Sequence, residues 1–136
     1  MAKKISLFLG IVFLFVGVVG FVAPTLLGAH LSLTHNLVHI ISGAVAVYFG
    51  TAASVSAARS FCILFGIVFG LLGVAGFLLG APGTITMPGM ESMSDARLFK
   101  VIPGQLELGT MDHVIHILLG VLFLIGGFAT PKTATA

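Results

Sequence analysis

Four long apolar runs leave this chain few folds to choose from. They cover residues 5–27, 33–56, 61–80 and 114–130, the last extended toward its start by polar Asp112 and His113. A helix needs roughly 20 apolar residues to cross the hydrocarbon of a bilayer, and each run comes within a few residues of that length. Backbone N–H and C=O groups in hydrocarbon must be satisfied within their own segment, so each run reads as a helix. Membrane strands would alternate with a period of two, and these runs do not. Composition agrees, with 58% of the 136 residues hydrophobic and 7% charged, against roughly 25% charged in a soluble domain. The expected fold is all-α: a four-transmembrane-helix bundle, one integral membrane domain over residues 1–136, with short turns at 28–32 and 57–60.

Lys3 and Lys4 precede the first run, as in a signal peptide. The run is too long for one and no clear small-x-small cleavage site follows, so it reads as a retained helix. Basic residues favour the cytoplasmic side of a membrane. Lys3, Lys4, Arg59 and Lys132 all fall at one end of an up-down bundle, while Glu91, Asp95, Glu107 and Asp112 join Arg97 and Lys100 at the other. Both termini are therefore expected in the cytoplasm and the loop 81–110 outside, in a multi-pass protein of the cytoplasmic membrane. A net charge of +2, scattered as it is, excludes a nucleic-acid partner. Cys62 has no second cysteine to pair with and reads as packing.

The chain repeats itself. "GIVFLFVGVVGF" (10–21) matches "GIVFGLLGVAGF" (66–77), and "NLVHIISGAVAV" (36–47) matches "HVIHILLGVLFL" (113–124). Two helical hairpins follow, residues 5–56 and 61–130, as a parallel repeat about an axis along the membrane normal. Small residues recur at helical spacing: Gly10, Gly17 and Gly20; Gly66, Gly70 and Gly73; Ala46, Gly50 and Ala53. Such stripes let helix backbones approach closely.

"HNLVHIISG" (35–43) and "DHVIHILLG" (112–120) put ionisable groups at the mouths of the second and fourth runs. His35 with His39, and Asp112 with His116, are four apart and share a helix face. Asn36 and Asp112 sit as polar helix-entrance residues. If the two hairpins are equivalent, His35, Asn36, His39, Asp112, His113 and His116 converge on one outer patch. Ionisable side chains at membrane depth mark function by default. Two readings stay open. The polar residues cap helix ends and hold the hairpins in register, or they form a ligand site. In the second case His39 and His116 are candidate axial ligands to haem or another tetrapyrrole such as chlorophyll, and His35, His39, Asp112, His113 and His116 are candidate ligands of a metal. Copper is the metal suggested, because Met87, Met90 and Met93 recur in the outer loop and Met111 adjoins Asp112, and thioethers are soft ligands.

With these motifs the chain resembles the DUF4383 family of small four-helix membrane proteins. An Asp-Asn-x-x-His-like pattern opening a helix is expected there. Asn36 and His39 fit it in the first hairpin, Asp112 and His116 in the second, and position 113 is His where the family more often has Asn. The resemblance implies the fold and a bacterial membrane location, and no activity. No hydrolase spacing, phosphate loop or HExxH motif is present. The expected function is therefore that of a non-enzymatic structural or accessory subunit, packed against lipid, itself or other membrane subunits. The alternative is a binding protein using the histidine patch, and a small transporter comes third.

Overall fold

The computed structural model describes residues 1–132, so the last four residues of the single domain lie outside the described residues. Four helices are long and apolar enough to cross a membrane: α1 (Ala2–Val19), α2 (Leu33–Thr51), α3 (Val55–Leu79) and α4 (Thr110–Phe128). The chain is thus a multi-pass membrane protein. Its helix boundaries differ from those of the apolar runs. α1 stops before Pro24, whose ring and missing N–H cannot continue a helix, and a single 3-10 turn (Leu26–Gly28) follows. The second connection is not at 57–60. It lies at 52–54, because Ser54 caps α3 by accepting from the Ala57 N–H.

The loop 81–110 corrects the all-α expectation. Residues 81–108 form a three-stranded antiparallel sheet, with β1 (Ala81–Thr84), β2 (Ser94–Ile102) and β3 (Leu106–Leu108) in the order β1-β2-β3. Pro-Gly pairs make two of its turns. Pro103-Gly104, with Gly104 at φ 76°, is closed by Gln105 N–H to Ile102 C=O at 2.9 Å. Pro88-Gly89, with Gly89 at φ 83°, is closed by Met90 N–H to Met87 C=O at 3.1 Å. Proline at the second position and a left-handed residue at the third define a type II turn, which glycine adopts without strain. Ile85, Met87, Met90 and Leu98 fill a small core under this cap.

α1 packs on α2 and α3 on α4, and α1 also touches α3 and α4. The two hairpins use matched positions. A β-carbon at Gly17 would lie 2.7 Å from Ile40 and 2.9 Å from the Asn36 carbonyl; at Gly73 it would lie 2.6 Å from Ile117 and 2.7 Å from the His113 carbonyl. Gly20 faces the Asn36 amide and Gly76 the His113 ring. Gly10 faces Val47 and Gly43, Gly66 faces Leu124 and Gly120. Gly70 departs from this pattern. Its own β-carbon would meet nothing within 4 Å, although a β-carbon at Gly120 would lie 2.6 Å from its nitrogen. It allows close approach through its backbone rather than by facing α4.

Between the hairpins the core is aromatic. Phe13 and Phe69 meet at 5.4 Å, and Phe123 and Phe61 pack beside them. Lower down, Ser6 and Cys62 share a hydrogen bond at 3.2 Å, so Cys62 is buried packing in contact with α1. At that end Ala2 N–H donates to Thr130 Oγ1 at 2.7 Å, Arg59 Nε to the Thr130 carbonyl at 2.9 Å and Lys3 Nζ to the Thr51 carbonyl at 3.0 Å. The N-terminus, the second connection and the end of α4 therefore share one end of the bundle, and the histidines and the cap share the other.

Candidate functional site

The polar residues at the cap end of the bundle are positioned by the first turns of α2 and α4. Ser32, not Asn36 or His35, caps α2, accepting from the His35 N–H at 3.2 Å. Its hydroxyl donates to the Gln105 carbonyl of the cap. In α4, Asp112 accepts from the Gly109 N–H at 2.8 Å and from the His30 N–H at 3.1 Å. A carboxylate in the first turn also sits well with the positive end of the helix dipole.

His30 joins the two helices and was not foreseen. It lies in the connection before α2 and is 3% exposed. Its N–H serves Asp112, its carbonyl accepts from His35 Nδ1 at 2.9 Å, and its ring Nδ1 lies 3.6 Å from the Asp112 carboxylate. The available signal was a fifth histidine five residues before His35, outside either repeated motif.

The cap is tied down by acids. Asp95 accepts from the Thr110 hydroxyl at 2.6 Å, the Arg97 N–H at 2.8 Å and the Thr110 N–H at 3.0 Å. Burial works to raise its pKa, but these hydrogen bonds and the nearby His30 outweigh burial and hold the carboxyl below its ordinary value. Glu107 is fully buried. It accepts from the Thr86 hydroxyl and from the Thr86 and Gly104 N–H groups at 2.8 Å, with Lys100 Nζ 3.5 Å away. Burial is again the largest single influence and again loses to the hydrogen bonds, so this carboxyl too titrates below its ordinary value.

The sequence patch divides. His113 turns away to the α3–α4 contact, where Nε2 donates to the Arg97 carbonyl at 2.7 Å and the ring packs edge-on against Phe77. Asn36 is buried against Gly20, and its Oδ1 has no partner among the described residues. His35, His39 and His116 do come together. His35 stacks on His39 at 4.6 Å and lies 6.1 Å from His116. His39 packs on Phe13 at 5.4 Å and His116 on Phe69 at 5.5 Å, at matched places in the two hairpins. A cavity of about 120 Å³ opens beside them, lined by these three histidines, Asp112 and apolar residues of α1, α4 and the 3-10 turn. A smaller one of about 50 Å³ lies on their other side, under Leu106 and Leu108.

Carbonyl oxygens only accept, so the proton of His35 is on Nδ1 and that of His113 on Nε2. Among the described residues His116 Nδ1 is buried without a hydrogen-bond partner, and the His39 ring packs on Phe13 and His35 without one.

The residues available do not make the two centres raised by the sequence. Among the described residues no group of three or more His, Cys, Asp or Glu side chains is gathered to hold a metal ion. Met87 and Met90 are buried in the cap core, and Met111 is exposed. Drug-sized ligands occupy pockets of roughly 300–1,000 Å³, so a cavity of 120 Å³ does not fit a tetrapyrrole.

The model of the family described as a domain of unknown function, DUF4383, matches residues 3–97. That is more than half of the chain, and the chain belongs to this family. The matched region contains His35, Asn36 and His39 and ends before α4. No curated protein matches the chain, and no solved structure does.

Proposed function

We propose that this chain is a non-enzymatic accessory protein of the bacterial cytoplasmic membrane whose working part is a ligand pocket at the outer end of the bundle. It is read as two duplicated hairpins with both termini in the cytoplasm, since Lys3 and Arg59 lie at the end opposite the cap. One observation carries the binding reading: His39 and His116 line a cavity and neither ring has a hydrogen-bond partner among the described residues, while His35 and Asp112 on the same lining are engaged. Buried polar groups are nearly always satisfied. Unsatisfied ones facing a void are therefore explained by something that enters it.

Native mass spectrometry of the full chain, purified in mild detergent, tests this. The expected result is a stoichiometric small-molecule adduct that is lost in Leu119→Trp, which fills the cavity. Identical spectra for the two proteins would leave the histidines with a packing role alone and support the purely structural reading.

A further inference from the structure

The pocket specifies its ligand more narrowly than size alone. An engineered apolar cavity of about 150 Å³ takes one benzene ring, so about 120 Å³ admits a single small ring. Val12, Val16, Ile115 and Leu119 form its walls. Leu26 and Leu27 stand at its edge, and Leu27 is 72% exposed. Such an apolar margin on a membrane helix bundle opens to lipid rather than to water. The ligand therefore arrives through the bilayer.

The polar wall supplies donors. An imidazole carries at least one N–H in either protonation state, and neither His39 nor His116 gives its own to a protein acceptor. A matching ligand must offer acceptor oxygens. The fixed charge on the lining is the Asp112 carboxylate, which opposes an anion. Its Oδ2 accepts from the His30 and Gly109 N–H groups, which commits the carboxylate to the helix ends rather than to the cavity. What fits is neutral, flat and apolar, with carbonyl groups. Phe13 and Phe69 add aromatic faces behind the two histidines.

We propose that this pocket binds the head of a quinone-class lipid. The ring sits in the cavity, a ring carbonyl accepts from His39 and His116, and the hydrocarbon chain leaves past Val16 and Leu27 into the outer leaflet. The proposal is one of binding, with no electron transfer, and it rests on the ligand reading above.

The test uses full-length protein with ¹⁵N-labelled histidines in phosphatidylcholine nanodiscs. 2-Decyl-1,4-benzoquinone, in place of any bulkier ring-substituted quinone, is compared with decylbenzene, which keeps the chain and a six-membered carbon ring and lacks the carbonyls. 2-Decyl-1,4-benzoquinone should shift the His39 and His116 ring N–H signals saturably and leave His113 unmoved. His39→Leu and His116→Leu should each weaken that binding about tenfold, the worth of one hydrogen bond, and leave decylbenzene unaffected. An unchanged His113 signal reports that each variant is folded. Equal affinity for both probes would overturn the quinone assignment and leave a ligand site of another kind. No response to either probe, with the rings exchanging with water, would overturn both readings.

Discussion

The two hairpins solve the same packing problem with the same positions and then part company at the end that carries the cap. In each, glycines on the first helix seat the backbone and the first turn of the second. Gly17 and Gly20 receive Ile40 and Asn36, while Gly73 and Gly76 receive Ile117 and His113. In each, one histidine lies against one phenylalanine of its own hairpin. The entrances differ. His35 donates to the His30 carbonyl where Asp112, its counterpart in the repeated motif, accepts the His30 N–H. Asn36 is left unpaired where His113 reaches the cap. Packing tolerates little variation because a backbone contact admits no β-carbon. A polar position that meets only a connecting segment is free to take a new partner. The longer second connection, folded as the sheet, supplied one.

The sharpest way to break the comparison is at the glycines. Gly17→Ala and Gly73→Ala place a β-carbon within 3 Å of a backbone carbonyl, and each should destabilise the bundle by about 2–3 kcal/mol. Unfolding midpoints in mild detergent check this. A large loss in one and none in the other would mean that the hairpins do not pack alike.

At the entrances the hairpins should respond unequally. Asp112→Ala removes two charge-assisted hydrogen bonds and frees two buried N–H groups, at about 3 kcal/mol. His35→Ala removes one neutral bond, at about 1 kcal/mol. The same unfolding measurement ranks them, and equal losses would deny that His30 binds the second hairpin more tightly than the first.

Acid should loosen the second hairpin's cap and spare the first. Asp95 and Glu107 titrate lower in the folded chain than when unfolded. Their contribution is therefore complete above the ordinary carboxylate range and is lost as pH falls through the folded values. Hydrogen exchange should show faster opening of amides 81–108 below about pH 4, with the 33–51 helix unchanged. The smallest effect belongs to Gly70→Ala. Its β-carbon meets nothing, and removing a mid-helix glycine is neutral or stabilising by up to about 1 kcal/mol.

The helices were legible because a bilayer leaves a long apolar run no other choice. Their ends were less so. Residues 20–27 are as apolar as the helix before them, but Pro24 ends it. Residues 57–60 are polar enough to read as a turn, but Ser54 caps them into α3. The sheet was hidden in a loop whose first and third strands are short and whose single-face burial is weak, yet Pro88-Gly89 and Pro103-Gly104 are turn signals in the sequence. In the site, helical spacing brought His35, His39 and His116 to one place. It could not show that His113 belongs to a different contact, because that depends on where β2 carries the Arg97 carbonyl. His30 was invisible for a related reason, since its backbone does most of the joining.

The central claim is that the polar residues at the cap end of the bundle include some whose hydrogen bonds hold the structure, among them Asp112 and His113, and two, His39 and His116, that line the pocket and make none. Unfolding His39→Leu, His116→Leu, His113→Leu and Asp112→Leu side by side, in mild detergent without added ligand, tests it most directly. Replacing an unpaired buried polar group by an apolar one is near neutral, whereas removing one partner of a made bond is costly. The first pair should therefore melt within about 0.5 kcal/mol of the parent and the second pair should lose about 2 kcal/mol or more. Losses of the same size in all four would contradict the division and return His39 and His116 to structural service.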